Sequence, residues 1–189
     1  RYASARCSEI GYNNPFIPLI DYTNLETYIK SIEGYVDRKE IIVESELYYP
    51  VRLKSAGANS LITLGETGVN HIELRMLDLN PLSETGIFEE DIAFIHLLLI
   101  YLSNQQDFVF TNEMQTEAVK KMYRAALYDN EEFADEAATI IDKIKNYFKS
   151  SLPKYYENAL KYQSEKIANH EKRYAVKIRK QFSNNFSQD

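Results

Sequence analysis

The sequence lacks residues that several common classes of protein require. Its 189 residues include one cysteine and no tryptophan. That cysteine, Cys7, cannot form an intramolecular disulfide, which favours a reducing compartment such as the cytoplasm. The three histidines, His71, His96 and His170, are far apart along the chain, and no zinc-ligand spacing surrounds them. A disulfide-stabilised secreted domain and a short zinc module are therefore excluded.

The sequence also lacks an apolar run near the roughly 20 residues of a membrane-spanning helix. Its longest apolar run, residues 97–102, is predicted to lie in a buried helix. No cationic stretch followed by an apolar one opens the chain, so nothing indicates export. The formal net charge of −6 argues against nucleic acid as the main partner. We therefore expect a cytoplasmic globular protein without membrane or nucleic-acid partners.

Hydrophobic periodicity predicts an α+β chain in two parts. Residues 1–81 are predicted to be the sheet-forming part, with strands over residues 46–54 and 70–79. Residues 82–189 are predicted to be the helical part of the same domain. A capping-box pattern at Thr23 and Glu26 opens the first helix, and Pro153 suits the first turn of the last one. The predicted helices cover about 24–36, 60–66, 89–102, 113–128, 131–149 and 153–182, with a frayed tail over 183–189.

The two predicted strands each carry one apolar face and one charged face, because alternate side chains point to opposite sides of a strand. The apolar face of the second strand contains Ile72, Leu74 and Met76, and its charged face contains His71, Glu73 and Arg75. In the first strand the apolar residues are Leu47, Tyr49, Val51 and Leu53, and the polar ones are Glu46, Tyr48, Arg52 and Lys54. This pattern allows two interpretations: an amphipathic sheet facing solvent, or a polar floor that binds a metal–phosphate group.

Five residues could supply chemistry to such a floor. The carboxylate of Glu73 can hold Mg²⁺, a hard cation that prefers oxygen. Arg75, on the same predicted face, could neutralise a transferring phosphoryl group. The planar guanidinium of Arg6 could bind a substrate carboxylate through two parallel hydrogen bonds. Tyr12 and Tyr48 could add hydroxyl donors.

Three segments resemble a known enzyme family in the same order and at fitting separations. They are residues 4–12 (SARCSEIGY), 46–52 (ELYYPVR) and 72–81 (IELRMLDLNP). Together they resemble the C-terminal portion of the ligase module of bacterial glutamate–cysteine ligases. That module occurs in a monofunctional enzyme and as the N-terminal half of bifunctional glutathione synthetases.

The resemblance implies a glutamine-synthetase-like antiparallel sheet and an ATP-dependent ligation of the γ-carboxylate of L-glutamate to the amine of L-cysteine. By match to the family's motifs, Glu73 would be a ligand of Mg²⁺ and Arg75 would act on the transferred phosphoryl group. Arg6, Tyr12 and Tyr48 would surround the cysteine substrate. The implied partners are ATP, L-glutamate and L-cysteine, with Mg²⁺ as the cofactor.

The sequence departs from the family pattern in one respect. The family places most of its metal-binding carboxylates in an N-terminal part of the module that would precede the segment containing Arg6, whereas this chain starts at Arg1. We therefore expect the chain to be inactive by itself and to need that N-terminal part of the module as a partner. Two alternatives stay open: a non-catalytic interaction module that retains the sheet motifs, and a related γ-glutamyl ligase with another amine substrate.

Overall fold

A computed structural model describes residues 1–58 and 60–182, and the predicted frayed tail at 183–189 lies outside them. The described residues have the predicted α+β architecture, with two strands, β1 (Val51–Lys54) and β2 (His71–Leu74). Short 3₁₀ helices cover Glu44–Glu46, Lys149–Ser151 and His170–Lys172. The α-helices are α1 (Leu25–Asp37), α2 (Leu61–Thr67), α3 (Glu89–Ser103), α4 (Asn112–Ala125), α5 (Ala134–Phe148), α6 (Lys154–Ala168) and α7 (Tyr174–Phe182).

The chain folds into two compact units. The sheet unit contains residues Ala5–Asp78 and Phe108–Ala126, so it includes α4 as well as both strands. The helical unit contains Arg1–Ser4, Leu79–Asp107 and the described residues from Leu127 onward. The boundary between residues 81 and 82, which the sequence predicted to separate the sheet-forming and helical parts of the same domain, stays a prediction. Among the residues that the structure describes, no helix has the length and apolar character needed to cross a membrane.

The two strands pair antiparallel, as predicted, but they are shorter than predicted. Arg52 is opposite Glu73, and Lys54 is opposite His71. Pairing continues beyond the strand ends, because the amide of Arg75 donates to the carbonyl of Pro50 at 2.8 Å. Pro50 itself has no N–H for a ladder, and residues 44–46 form a 3₁₀ turn, so β1 begins at Val51.

Helices α1 and α2 lie beside the strands and have well-defined ends. Asn24, rather than the predicted Thr23, caps α1, and its side chain and that of Thr27 bond reciprocally to the backbone. Gly68 ends α2 with a φ of 78°, a conformation that glycine adopts without steric cost. The core of the sheet unit consists of Ile20, Tyr28, Ile32, Tyr35, Ile41, Leu47 and Leu64.

The helical unit packs around a core formed by Leu97, Ile141, Ile144 and Leu160. The single long helix predicted after Pro153 is wrong, because the chain breaks into α6, a 3₁₀ turn and α7. Asn169 adopts an extended conformation at the break, and its side chain accepts a hydrogen bond from the amide of Glu171. Hydrogen bonding of an asparagine side chain to the nearby backbone competes with the hydrogen bonds of a continuous helix, which accounts for the break.

A polar network joins α3, α6 and α7 within the helical unit. One carboxylate oxygen of Asp91 accepts from Lys166 at 2.7 Å and from Gln163 at 2.8 Å. The other accepts from the Tyr174 hydroxyl at 2.5 Å. Burial alone would raise the pKa of Asp91, but these hydrogen bonds outweigh it and hold the pKa below its ordinary value. The network therefore stabilises the helical unit through an ionised carboxylate.

Candidate active site

The first resembling segment forms a tight loop in the sheet unit, built around the buried Ser8. The Ser8 hydroxyl donates to the carbonyl of Ala5 at 2.7 Å, and the Ser8 carbonyl accepts from the Gly11 amide at 3.0 Å. A Cβ atom on Gly11 would lie 2.5 Å from the carbonyl oxygen of Ala5. Only glycine fits this position, so the backbone fold of the loop fixes how Arg6 and Tyr12 are presented.

This loop is attached to the chain that continues from β2. The backbone amide of Arg6 donates to the carboxylate of Asp78 at 3.0 Å. The thiol of Cys7 lies 3.2 Å from the carbonyl oxygen of Met76. These contacts bring residues about 70 positions apart in sequence into one site, and they give Asp78 a structural role.

A charged cluster lies on the predicted polar face of the two strands. The Glu73 carboxylate is 3.2 Å from the Lys54 ammonium and 3.8 Å from Nε of Arg75. Burial alone would raise the pKa of Glu73, but Lys54 and then Arg75 outweigh it and hold that pKa below its ordinary value. Arg52 shares this face, but its guanidinium donates to the carbonyl of Glu44 at 3.1 Å. Arg52 therefore connects β1 to the preceding 3₁₀ turn.

Arg75 also faces the aromatic residues of the site. Its guanidinium carbon lies 5.8 Å from the centre of the Tyr48 ring, within the range of a cation–π contact. The rings of Tyr12 and Tyr48 are 5.9 Å apart. Nη1 of Arg75 is buried and makes no hydrogen bond within the described residues. A buried donor without an acceptor is costly, so this nitrogen is a natural contact for a ligand oxygen.

These groups open onto a pocket of about 190 Å³, which lies wholly within the sheet unit. The volume is smaller than the roughly 300–1,000 Å³ of drug-sized sites, and it suits a molecule the size of a small amino acid. Two arginines and no carboxylate are among the described residues that line it. The pocket is lined by Arg6, Cys7, Tyr12, Asn13, Asn14, Phe16, Ile17, Pro18, Tyr48, Tyr49, Pro50, Arg75, Met76, Val119, Met122 and Tyr123.

The structure brings four of the five predicted site residues together in this pocket: Arg6, Tyr12, Tyr48 and Arg75. The fifth, Glu73, is outside the lining and is joined to it through Arg75. The apolar face of the strands was also expected to be buried, and this was wrong. Met76 is 40% exposed and contributes to the pocket wall, while Val51, Leu53 and Leu74 are only half-buried.

Sequence reasoning missed two groups of residues that shape the pocket. Asn14 holds residues 46 and 48, because its side chain donates to the carbonyl of Glu46 at 2.9 Å and accepts from the amide of Tyr48 at 2.8 Å. Helix α4 supplies Val119, Met122 and Tyr123, although it is more than 30 residues beyond the last resembling segment. Asn14 carries no periodic signal, whereas the helical spacing of the α4 residues was visible without indicating what they face.

The residues around Glu73 do not by themselves fit a divalent cation. Glu73 is one carboxylate, and Lys54 and Arg75 already neutralise it. Within residues 1–58 and 60–182, no group of three His, Cys, Asp or Glu side chains is placed to hold a metal. The local excess of positive charge, with Nη1 of Arg75 unpaired, fits an anion.

Comparison with known proteins identifies relatives of this chain. The family model described as glutamate–cysteine ligase matches residues 36–126. The glutathione biosynthesis bifunctional protein GshAB of Listeria welshimeri is 32% identical over 193 residues, which cover 94% of this chain and 25% of that protein. GshAB of Enterococcus faecalis is 40% identical over 99 residues, covering 52% of this chain and 13% of the relative.

Two solved structures share the fold. A bifunctional glutathione synthetase from Pasteurella multocida matches 99% of this chain with a TM-score of 0.82 and 23% identity, over 25% of its own length. A glutamate–cysteine ligase from Francisella tularensis, solved in complex with AMP, matches 93% of this chain with a TM-score of 0.83 and 19% identity, over 43% of its own length.

The chain belongs to the glutamate–cysteine ligase family, as its three motifs indicated. It spans about a quarter of the length of the bifunctional relatives from Listeria that it matches.

Proposed function

We propose that this chain forms the amine-substrate side of the active site in an ATP-dependent glutamate–cysteine ligase, the first enzyme of glutathione biosynthesis. The observation that carries the proposal is the pocket itself. It is small, two guanidinium groups line it, and its other walls are largely apolar or aromatic. A small amino acid with a free carboxylate and a short, weakly polar side chain matches this combination, and L-cysteine is such a molecule.

Arg6 is the proposed carboxylate-binding residue. Its backbone is fixed by Asp78 and by the loop around Gly11, while its side chain belongs to the pocket lining. A guanidinium group can bind both oxygens of a carboxylate in one plane, which orients the amine as well as holding it. Tyr12 and Tyr48 line the same pocket, and their hydroxyls would add hydrogen-bond donors for the ligand.

Arg75 is the proposed catalytic residue. In the reaction, a phosphoryl group of ATP is transferred to the γ-carboxylate of glutamate, and the amine then displaces phosphate to form the amide. Negative charge develops on the phosphoryl oxygens in the first step and on phosphate in the second. The unpaired Nη1 of Arg75 is a preorganised donor for such an oxygen, since Glu73 and Tyr48 already hold the guanidinium in place.

The proposed reaction also requires ATP and L-glutamate as substrates and Mg²⁺ as the cofactor. Glu73 would serve as one magnesium ligand among others from the rest of the ligase module, because magnesium in phosphoryl-transfer sites is held by a few carboxylates together with substrate phosphates. Calorimetric titration of Mg²⁺ into the natural protein, with and without a non-hydrolysable ATP analogue, tests this point. Unchanged Mg²⁺ affinity in a Glu73→Gln variant would remove Glu73 from the metal site. A cytoplasmic location is proposed as well.

Release of ADP by the natural protein that carries this chain tests the function. The proposal expects release that depends on L-glutamate and L-cysteine together, with γ-glutamylcysteine as the product. An Arg6→Lys variant is expected to raise the KM for cysteine far more than the KM for ATP, because lysine lacks the planar fork. Efficient turnover with a different amine would favour the related γ-glutamyl ligase. No ADP release with any amine would favour the non-catalytic interaction module.

A further inference from the structure

Helix α4 forms one apolar side of the pocket. Gln115, Val119 and Met122 follow one another at spacings of four and three residues, so they lie on one face of the helix. Gln115 and Val119 are buried, Met122 is half-buried, and Met122 and Val119 both line the pocket. None of these residues lies in the three segments that carry the family resemblance.

The position of α4 is fixed by Gln115. Its amide oxygen accepts from the Ile20 amide at 2.9 Å, and its amide nitrogen donates to the Ile20 carbonyl at 2.7 Å. The same side chain also bonds to the Phe110 carbonyl and the Tyr49 hydroxyl. Because Ile20 follows the pocket residues 16–18 closely, Gln115 attaches α4 to the segment that supplies those residues.

The chemistry of the walls assigns α4 to the substrate's side chain. Arg6 and Arg75 account for the charged groups of an amino acid or phosphoryl ligand, as proposed above. The apolar part of the lining, which includes Phe16, Met76, Val119 and Met122, is left to surround an uncharged side chain. Met76 and Met122 are the unbranched residues of this set, and Met122 is the one that α4 supplies. Met122 is half-buried, so its length can change without opening the core.

We propose that Met122 determines the size of the amine side chain that the pocket accepts, with Gln115 as the residue that positions α4. This inference rests on the proposed function, and it adds a determinant from outside the resembling motifs. Met122 fills part of the space next to a short side chain. Shortening it enlarges the pocket at the side-chain end and leaves both arginines in place.

The test compares amines of increasing side-chain length in the natural protein. Values of kcat/KM are measured for L-cysteine, L-2-aminobutyrate and L-norvaline with the wild type and Met122→Ala. The ratio for norvaline over cysteine is expected to rise by at least about 10-fold in the variant, since one methylene in an apolar pocket changes selectivity by roughly 10–200-fold. The KM for ATP is expected to stay within about threefold, because α4 contributes to the side-chain wall alone.

Two controls keep the result interpretable. Met114→Ala makes the same change on the exposed side of α4, outside the pocket, and is expected to leave the ratio unchanged. Met122→Val trims the side chain less and is expected to shift the ratio in the same direction, which covers the case in which Met122→Ala fails to fold by circular dichroism.

An unchanged norvaline-to-cysteine ratio in a folded, active Met122 variant would overturn the inference and leave the proposed function standing. A ratio that shifts equally in Met114→Ala would also overturn it, because the effect would then come from the helix in general. A wild-type protein without amine-dependent ADP release would refute the proposed function and the inference together.

Discussion

Replacing Gln115 by Met tests how far one buried amide holds the pocket wall in place. Gln115 is 1% exposed and makes four hydrogen bonds. Methionine has a similar length and no amide, so the variant leaves the N–H and C=O of Ile20 without partners. Ile20 is also 1% exposed, and water cannot readily replace the lost bonds. At about 1–3 kcal/mol for each unsatisfied buried group, the expected loss is about 2–6 kcal/mol.

The loss should appear first at the Ile20 amide itself. Hydrogen exchange measured by mass spectrometry on peptides that contain Ile20 is expected to accelerate by about 30-fold or more, the factor that corresponds to about 2 kcal/mol. Gln105→Met is the matched control. Gln105 is exposed and bonds the Tyr101 carbonyl at the end of α3, so its replacement is expected to change stability by less than about 0.5 kcal/mol.

A Gln115→Glu variant separates hydrogen bonding from packing. Glutamate keeps the shape, but an ionised carboxylate would face the carbonyl oxygens of Ile20 and Phe110, now 2.7 and 3.1 Å from the amide nitrogen. The fold therefore favours the protonated acid and raises its pKa. Stability relative to wild type should fall as pH rises from about 4.3 through the raised pKa, whereas Gln115→Met should show no such trend. Protection at Ile20 that is equal in wild type and both variants would refute the assigned role of Gln115.

Four further results are expected. Arg75→Lys and Glu73→Gln should each lower kcat of the natural protein by about 100-fold while circular dichroism stays unchanged. Lysine lacks the planar guanidinium of Arg75, glutamine lacks the negative charge of Glu73, and neither residue lies in the core. Gly11→Ala should raise the KM for the amine and leave the KM for ATP nearly unchanged, because the added Cβ would collide with the loop backbone. Asp91→Asn should destabilise the helical unit by about 3 kcal/mol, because it leaves Lys166 without its counter-ion. The pKa of Asp91 is depressed, so the stability difference between wild type and variant, measured by denaturant unfolding, should be full above about pH 5 and should shrink as pH falls below about 3.9. The 189-residue chain by itself should release no ADP at ordinary enzyme rates of roughly 1–1000 per second, because Glu73 is a single carboxylate and is already paired with two cations. Turnover in that range would show that the chain contains a complete site.

Local signals predicted the elements that depend on local chemistry. Caps and periodicity placed α1, α2 and α3 to within one or two residues. Strand alternation put Arg52 and Glu73 on one face, and the structure adds the register that sets them opposite each other. The predicted boundaries failed where a single residue interrupted an element that the hydrophobic periodicity predicted to continue. Pro50 shortened β1, and Asn169 interrupted what reads as one continuous amphipathic helix. The spacing of Ile92, Ile95 and Leu99 predicts that these residues form the core face of α3, but Ile92 is 54% exposed, and Ala93 and Leu97 are the buried residues of that helix.

The residues of the site likewise fall into those that the sequence predicted and those that it did not. Arg6, Tyr12, Tyr48 and Arg75 lie in segments whose sequence is distinctive, and the structure brings them into one pocket. Asn14 and Gln115 left no such signal. Each satisfies the backbone of an irregular segment through a side-chain amide, so its role depends on which backbone groups tertiary folding leaves without partners. A periodic pattern cannot contain that information, because residues 13–20 have no regular ladder to predict from.

The charges around Glu73 also bear on how a metal could enter this site. A bare divalent cation approaching Glu73 would meet Lys54 at 3.2 Å and Arg75 at 3.8 Å from the same carboxylate, and both repel it. A nucleotide's phosphates are attracted by those two cations and carry enough negative charge to support a magnesium ion beside Glu73. We therefore expect Mg²⁺ and nucleotide to bind cooperatively: Mg²⁺ should bind the natural protein much more tightly with an ATP analogue present than without it. Equal Mg²⁺ affinity in the two titrations would show that the protein's own carboxylates form a complete metal site, and that Lys54 and Arg75 do not govern entry to it.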